Sequence, residues 1–299
     1  MPDKHLSTQF DSELSAVSGR VMELGGLVES QIHQAIYALS QFSVEAANAV
    51  SAAETRVNAM EVDIDRELSS IIARRQPTAR DLRLLIAISK TTANLERVGD
   101  EAEKIARMVR SIIESGSHRS LPSLELRVAA DMASGLLRKA LDAFARLDTA
   151  AALSILKEDD LIDKEFDGFV RKLITYMMED PRMISASLDL LFIAKAIERI
   201  GDHAKNIAEF IIYVVKGADV RHATLAEIES VVKRNACPAF SLLRMSRPLP
   251  NSLPSTFDTM GTKRSVQLTA PRRSVKLMRC SRMSFCWTGC FPARAVCPC

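Results

Sequence analysis

The chain has 299 residues, 47% of them hydrophobic and only 5% aromatic, with a formal net charge of +3 at pH 7. That length accommodates one large domain or two smaller ones, and the composition favours helices packed through aliphatic side chains. The charge excludes more than it implies: residues 237–299 hold ten Lys or Arg against a single acid, Asp258, so the remainder carries −6 and the basic balance gives no ground for nucleic-acid binding.

The opening MPDKHLSTQFDSEL offers no apolar stretch suited to a signal peptide. From residue 8 to 40, apolar residues recur at helical spacing: Leu14, Val17, Val21, Leu24, Val28, Ile32, Ile36 and Leu39. A second helix is predicted over 44–74, broken at Gln76-Pro77 because proline disfavours helix at the residue before it. A third runs over 79–114 and stops at Ser115-Gly116-Ser117. The pattern then restarts. A helix over 124–147 is opened by Pro122, and a fifth runs to about 178, capped by Asp148 or Thr149 and broken at Glu179-Asp180-Pro181. A sixth covers 185–216 and ends at Gly217. FIIYVV (210–215) reads as a core stripe within it, and no run of eighteen apolar residues suggests a membrane span.

Three long helices followed by three long helices form an internal repeat. The expected fold is all-α: two tandem antiparallel three-helix bundles, residues 1–117 and 118–235. The body has no cysteine and no disulfide framework, which points to the cytoplasm.

Residues 236–299 break this pattern. All six cysteines lie there, from Cys237 onward, without a CxxC pair or a nearby His, so a zinc module is poorly supported; a basic disordered tail is a second reading. A third is translation out of frame. Shifting the codons of Phe285-Cys286-Trp287-Thr288 forces Leu-Leu-Asp, and one consistent shift across the tail permits a sequence resembling the receiver domain of a response regulator.

The repeat writes one phrase twice: ERVGDEAEKIA at 96–106 and ERIGDHAKNIA at 198–208. Glu96 and Asp100 share a helix face at i and i+4, as do Glu198 and Asp202. Like charges at that spacing cost about 0.2–0.5 kcal/mol. The second helix of each repeat adds a similar pair: Glu61 and Asp65 in EVDID, Asp159 and Asp163 in DDLID. Antiparallel neighbours bring such pairs face to face, and four converging carboxylates call for a cation. Carboxylate oxygens suit Mg, Ca, Mn or Fe, and sometimes Zn. The alternative is a solvated acidic face relieved by Arg97 and Arg199. Gly99 and Gly201, before the second acids, admit close approach of a helix or an ion; His203 is expected at the surface or behind the ligands.

These residues resemble the PhoU family. LERVGDEAEKIA and IERIGDHAKNIAEFIIYVVKG are similar to its third-helix motifs, and ARRQPTARDLRLL and TYMMEDPR to its turns. The resemblance covers about residues 5–235. It implies a cytoplasmic, non-enzymatic negative regulator of phosphate uptake and phosphate-starvation signalling. The implied partners are the ATPase subunit of a phosphate ABC transporter and a membrane sensor histidine kinase, with a homodimer as the assembly. It also implies iron or zinc clusters, with Mn or Mg as alternatives, on Glu61, Asp65, Glu96, Asp100, Asp159, Asp163, Glu198 and Asp202. A carboxylate-bridged di-metal protein with a redox or storage role is the alternative, but ferritin-like sites use Glu-x-x-His and the chain has no ExxH. No phosphate-binding GxxxxGK[ST] loop occurs either.

Overall fold

A computed structural model of the chain describes residues 8–116 and 123–234, and the described residues are helical without strands. The helices are α1 (Thr8–Gln41), α2 (Val44–Arg75), α3 (Ala79–Glu114), α4 (Ser123–Arg146), α5 (Thr149–Glu179), α6 (Ile184–Lys216) and α7 (Leu225–Lys233). The first six match the sequence periodicity to within a residue or two. Pro122, the cysteines and the out-of-frame reading of the tail lie outside the described residues.

Local chemistry explains the sharp turns. Phe42 and Leu147 each adopt positive φ, 49° and 52°, immediately before a capping residue. Ser43 then accepts from the Ala46 N–H, and Asp148 accepts from the Ala150 and Ala151 N–H groups at 2.9 and 3.1 Å. Each cap satisfies helix-end donors that would otherwise lack partners. The α2–α3 and α5–α6 breaks differ in geometry although both precede proline. Gln76 closes α2 in the left-handed region at φ 46°. Asp180 is extended, and its carboxylate accepts from the Arg182 N–H to open a 3-10 turn, Pro181–Met183.

Two elements are additional to the six predicted helices: that 3-10 turn and α7. The sequence signal for α7 was Thr224-Leu225-Ala226-Glu227, a capping box in which side chain and backbone of both end residues exchange hydrogen bonds. At nine residues it is too short for apolar periodicity to register. Helix α7 folds back on α5 through Ile228 and a Lys157–Glu229 ion pair of 2.5 Å.

Helices α1 and α2 flank α3, and α4 and α5 flank α6, giving two three-helix bundles. The bundles meet mainly through α3 and α6, whose mutual contact is the most extensive in the fold, and α1 also touches α4. The core is aliphatic: Leu24, Ile32, Ile64, Leu85, Leu95, Ile105, Leu137, Ile193, Ile207 and Ile211 are fully or almost fully buried. The FIIYVV stripe supplies buried Phe210, Ile211, Ile212 and Val214. No helix among the described residues is long and apolar enough to cross a membrane.

The paired caps make a direct prediction. Asp148→Ala lowers unfolding free energy by about 1 kcal/mol, while Asp148→Asn stays within a few tenths; urea denaturation followed by circular dichroism separates the two.

Candidate functional site

The second and third helices of each bundle cross at a glycine. A Cβ on Gly99 would lie 3.0 Å from Glu54 Oε2, 3.2 Å from Gln31 Oε1 and 3.3 Å from Val57 Cγ1. A Cβ on Gly201 would lie 3.0 Å from Ile162 Cδ1 and 3.4 Å from Asp159 Oδ1. Glycine therefore lets α2 and α5 bring a carboxylate onto the backbone of α3 and α6, beside Asp100 and Asp202. A mid-helix Gly costs about 1 kcal/mol of helix propensity, which close packing here offsets.

Counting from the caps gives the true register of the repeats. Glu54 and Asn58 follow Ser43 by the same steps as Asp159 and Asp163 follow Asp148. The motif match EVDID with DDLID is thus displaced by two helical turns along α2. Glu54, which motif reading missed, is the counterpart of Asp159. Its signal was positional: an acid at the same distance from the preceding cap.

In the first repeat, Glu54, Glu61, Glu96 and Asp100 share one electrostatic neighbourhood. Glu96 is half-buried, and burial, then the charges of Asp100, Glu61 and Glu54, push its carboxyl up to about 7. Glu61 is raised by burial, then by Asp65 and Asp100. Burial also raises Glu54, with Asp100 and Glu103 adding to it against the lowering effect of the Gln31 hydrogen bond. Asp65 lies at the exposed edge and accepts from Ser89 at 3.1 Å. Among the described residues, no Lys or Arg comes within ion-pair distance of Glu54, Glu61, Glu96 or Asp100. Arg97 is exposed and lowers Glu61 and Glu96 only from a distance, so the reading in which it relieves the acids by direct pairing does not hold.

The second repeat is arranged differently. Asp159 is 1% exposed and takes an ion pair of 2.8 Å from Lys205. Lys195 sits 2.6 Å from Glu198 Oε2, over the Phe166 ring, although that buried oxygen has no aligned hydrogen bond. Asp163 is exposed on the same helix face. Asp202 is raised by burial, then by Glu198, Asp159 and Asp163. The structure thus brings together Glu61, Glu96 and Asp100 in one repeat and Asp159, Asp163, Glu198 and Asp202 in the other, with Asp65 at the margin.

The donor chemistry suits a hard cation, since every candidate ligand is an oxygen. Buried oxygens without hydrogen-bond partners, Glu54 Oε1 and Gln31 Oε1, fit that reading in the first repeat, whereas the buried Glu198 Oε2 already faces Lys195. Among the described residues, however, no three His, Cys, Asp or Glu side chains already converge as a ligand set. Binding an ion therefore requires carboxylate rotamers to turn inward, which the half-exposed positions permit.

His203 is not at the surface. It is 5% exposed in the α3–α6 interface, where its Nδ1 lies 2.9 Å from Asn94 Oδ1. Asn206 also donates to that oxygen at 3.1 Å, and Asn94 donates through Nδ2 to the Lys90 carbonyl. The asparagine oxygen is an acceptor throughout, so the imidazole carries its proton on Nδ1. Nε2 is left buried without a partner. Burial, then Arg199 and Arg97, bring the ring down to about 4, which keeps it neutral at pH 7. The matching residue of the first repeat, Glu101, pairs with Arg199 at 3.2 Å and Lys104 at 3.3 Å.

A family model described as the PhoU domain matches residues 21–109 and 126–211. The chain is 53% identical over 223 residues to the phosphate-specific transport system accessory protein PhoU homolog of a Burkholderia species, covering 74% of this chain and 95% of that protein. It is 46% identical over 231 residues to phosphate-specific transport system accessory protein PhoU of Escherichia coli K12, covering 77% and 95%. The crystal structure of PhoU from Pseudomonas aeruginosa superposes with a TM-score of 0.68 at 44% identity, covering 70% of this chain and 100% of that one. The phosphate transport system regulatory protein PhoU from Streptococcus pneumoniae gives 0.66 at 27% identity, covering 71% and 99%.

The raised carboxyl of Glu96 sets a pH dependence. The folded protein holds a proton there that the unfolded chain releases near the ordinary carboxylate value, so folding stability falls as pH rises from about 4.5 to about 7. In metal-free protein, Glu96→Gln flattens this slope, as read from melting temperatures across that range.

Proposed function

This chain belongs to the PhoU family, and from that premise we propose that it is a cytoplasmic accessory regulator of phosphate-specific transport and a repressor of phosphate-starvation signalling. The observation that carries the reading is the identity, spread over nearly the whole length of relatives named as phosphate-specific transport system accessory proteins. Acting as a homodimer, it links the ATPase subunit of a phosphate ABC transporter to a membrane sensor histidine kinase. The role is one of contact and not of chemistry: the fold supplies two three-helix bundles with long exposed helix faces.

The acidic faces are proposed to hold metal, iron or zinc, with Mn or Mg as alternatives. Glu61, Asp65, Glu96 and Asp100 would serve one repeat, and Asp159, Asp163, Glu198 and Asp202 the other; the register adds Glu54 to the first. A bound cation would neutralise carboxylates on neighbouring helices and so hold α2 to α3 and α5 to α6. The buried Glu54 Oε1 and Gln31 Oε1, without hydrogen-bond partners, support this assignment for the first repeat.

Deleting the gene is expected to derepress a phosphate-starvation reporter in phosphate-replete medium. The wild-type chain supplied in trans restores repression, and the Asp100→Ala/Asp202→Ala variant, at equal abundance, does not. Undisturbed repression in the deletion strain would rule out the regulatory reading. Full rescue by the double variant would separate regulation from the acidic faces.

A further inference from the structure

The two acidic faces carry different residues at one decisive position. In the second repeat, Lys205 reaches across from α6 to Asp159 on α5 at 2.8 Å, and Asp159 is 1% exposed. The position matching Lys205, counted from Gly201 and Gly99, is Glu103 in the first repeat. The carboxylate matching Asp159 is Glu54. It receives no cation; Gln31 donates to it through Nε2 at 2.8 Å.

We infer that the faces are functionally unequal: Lys205 serves the second as a built-in cation, while the first, anchored by Gln31 and Glu54, takes a divalent cation from solution. This rests on the metal-binding reading above and narrows it, keeping the site of the first repeat and closing that of the second with Lys205. Two independent observations favour the first face as the one with an open demand. Its acids, Glu54, Glu61, Glu96, Asp100 and Glu103, form no ion pair among the described residues, whereas Asp159 and Glu198 each have a lysine. Gln31, itself 1% exposed, is directed at the same crossing, with its amide on Glu54 and its buried Oε1 without a partner 3.2 Å from where a Gly99 Cβ would stand. A neutral amide oxygen beside carboxylates is an oxygen ligand of the kind hard cations accept.

The physical basis is competition. An ammonium held at 2.8 Å occupies the low-dielectric side of Asp159. A solution cation entering that face must displace it and leave Lys205 unpaired and partly desolvated, a cost absent from the first repeat. The lysine thus acts as a specificity-determining residue, emptying one of two sites that motif matching makes look alike.

The test uses the full chain, stripped with EDTA and titrated with Mn2+ alone, with free ion followed by electron paramagnetic resonance and helicity by circular dichroism. Glu96→Gln/Asp100→Asn is expected to weaken Mn2+ binding at least about tenfold, while Glu198→Gln/Asp202→Asn stays within about twofold of wild type. Lys205→Met is expected to add a second class of bound ion, and Glu103→Lys to suppress the first. Because these substitutions keep side-chain size, retained helicity excludes unfolding as the cause. Equal loss from the two double variants, or unchanged stoichiometry in Lys205→Met, overturns the inequality while leaving metal binding intact. No Mn2+ uptake by wild type or any variant overturns both.

Discussion

Each repeat presses a carboxylate from its second helix onto a glycine of its third. A side chain at Gly99 would crowd Glu54 and one at Gly201 would crowd Ile162 beside Asp159, and the crossing removes water from acids that already crowd one another. Burying a carboxylate is costly unless it is paired or hydrogen-bonded. The molecule meets that cost in three ways: an amide at Glu54, a lysine at Asp159, and a raised proton affinity at Glu96. The close approach of α2 to α3 and of α5 to α6, and the electrostatics of their acids, follow from this crossing.

The same repeat supplies both sides of the α3–α6 interface, yet the two sides are not copies. Glu101 draws Arg199 from the opposite bundle and Lys104 from its own helix, while His203 at the matching position stays neutral and holds Asn94. Lys90 adds a further tie, standing over the Phe210 and Tyr213 rings of α6. An aliphatic interface of Leu, Ile and Ala permits sliding between registers. Buried polar pairs that match in only one alignment oppose it, because a shifted helix leaves them unsatisfied.

In the proposed regulatory role, this arrangement gives a cation something to act on. A dication bound there would offset the mutual repulsion of carboxylates on neighbouring helices and so favour their close approach. A partner that prefers the cation-bound state experiences the difference as a change in affinity. The divergence between Glu103 and Lys205 would confine that response to one bundle.

Hydrophobic periodicity, the breaks at Gln76-Pro77 and Asp180-Pro181, and the duplicated ER[VI]GD phrase are local properties of the chain, and from them the six long helices, their order and the two-bundle plan were legible. Helix α7 escaped because nine residues are too few for periodicity to register, although its capping box was written in the sequence. The acids on the third helices were legible for the same local reason, since residues four apart must share a face. Which acids meet them from the second helices was not. That depends on where α2 and α5 cross, and the crossing is set by glycines and caps acting over tens of residues, so EVDID was matched in place of Glu54. Burial of His203, pairing of Lys205 with Asp159 and the hydrogen bond from Gln31 to Glu54 were likewise decided only by packing: a side chain's partner across an interface depends on helix separation and rotation, and no spacing within one helix encodes either.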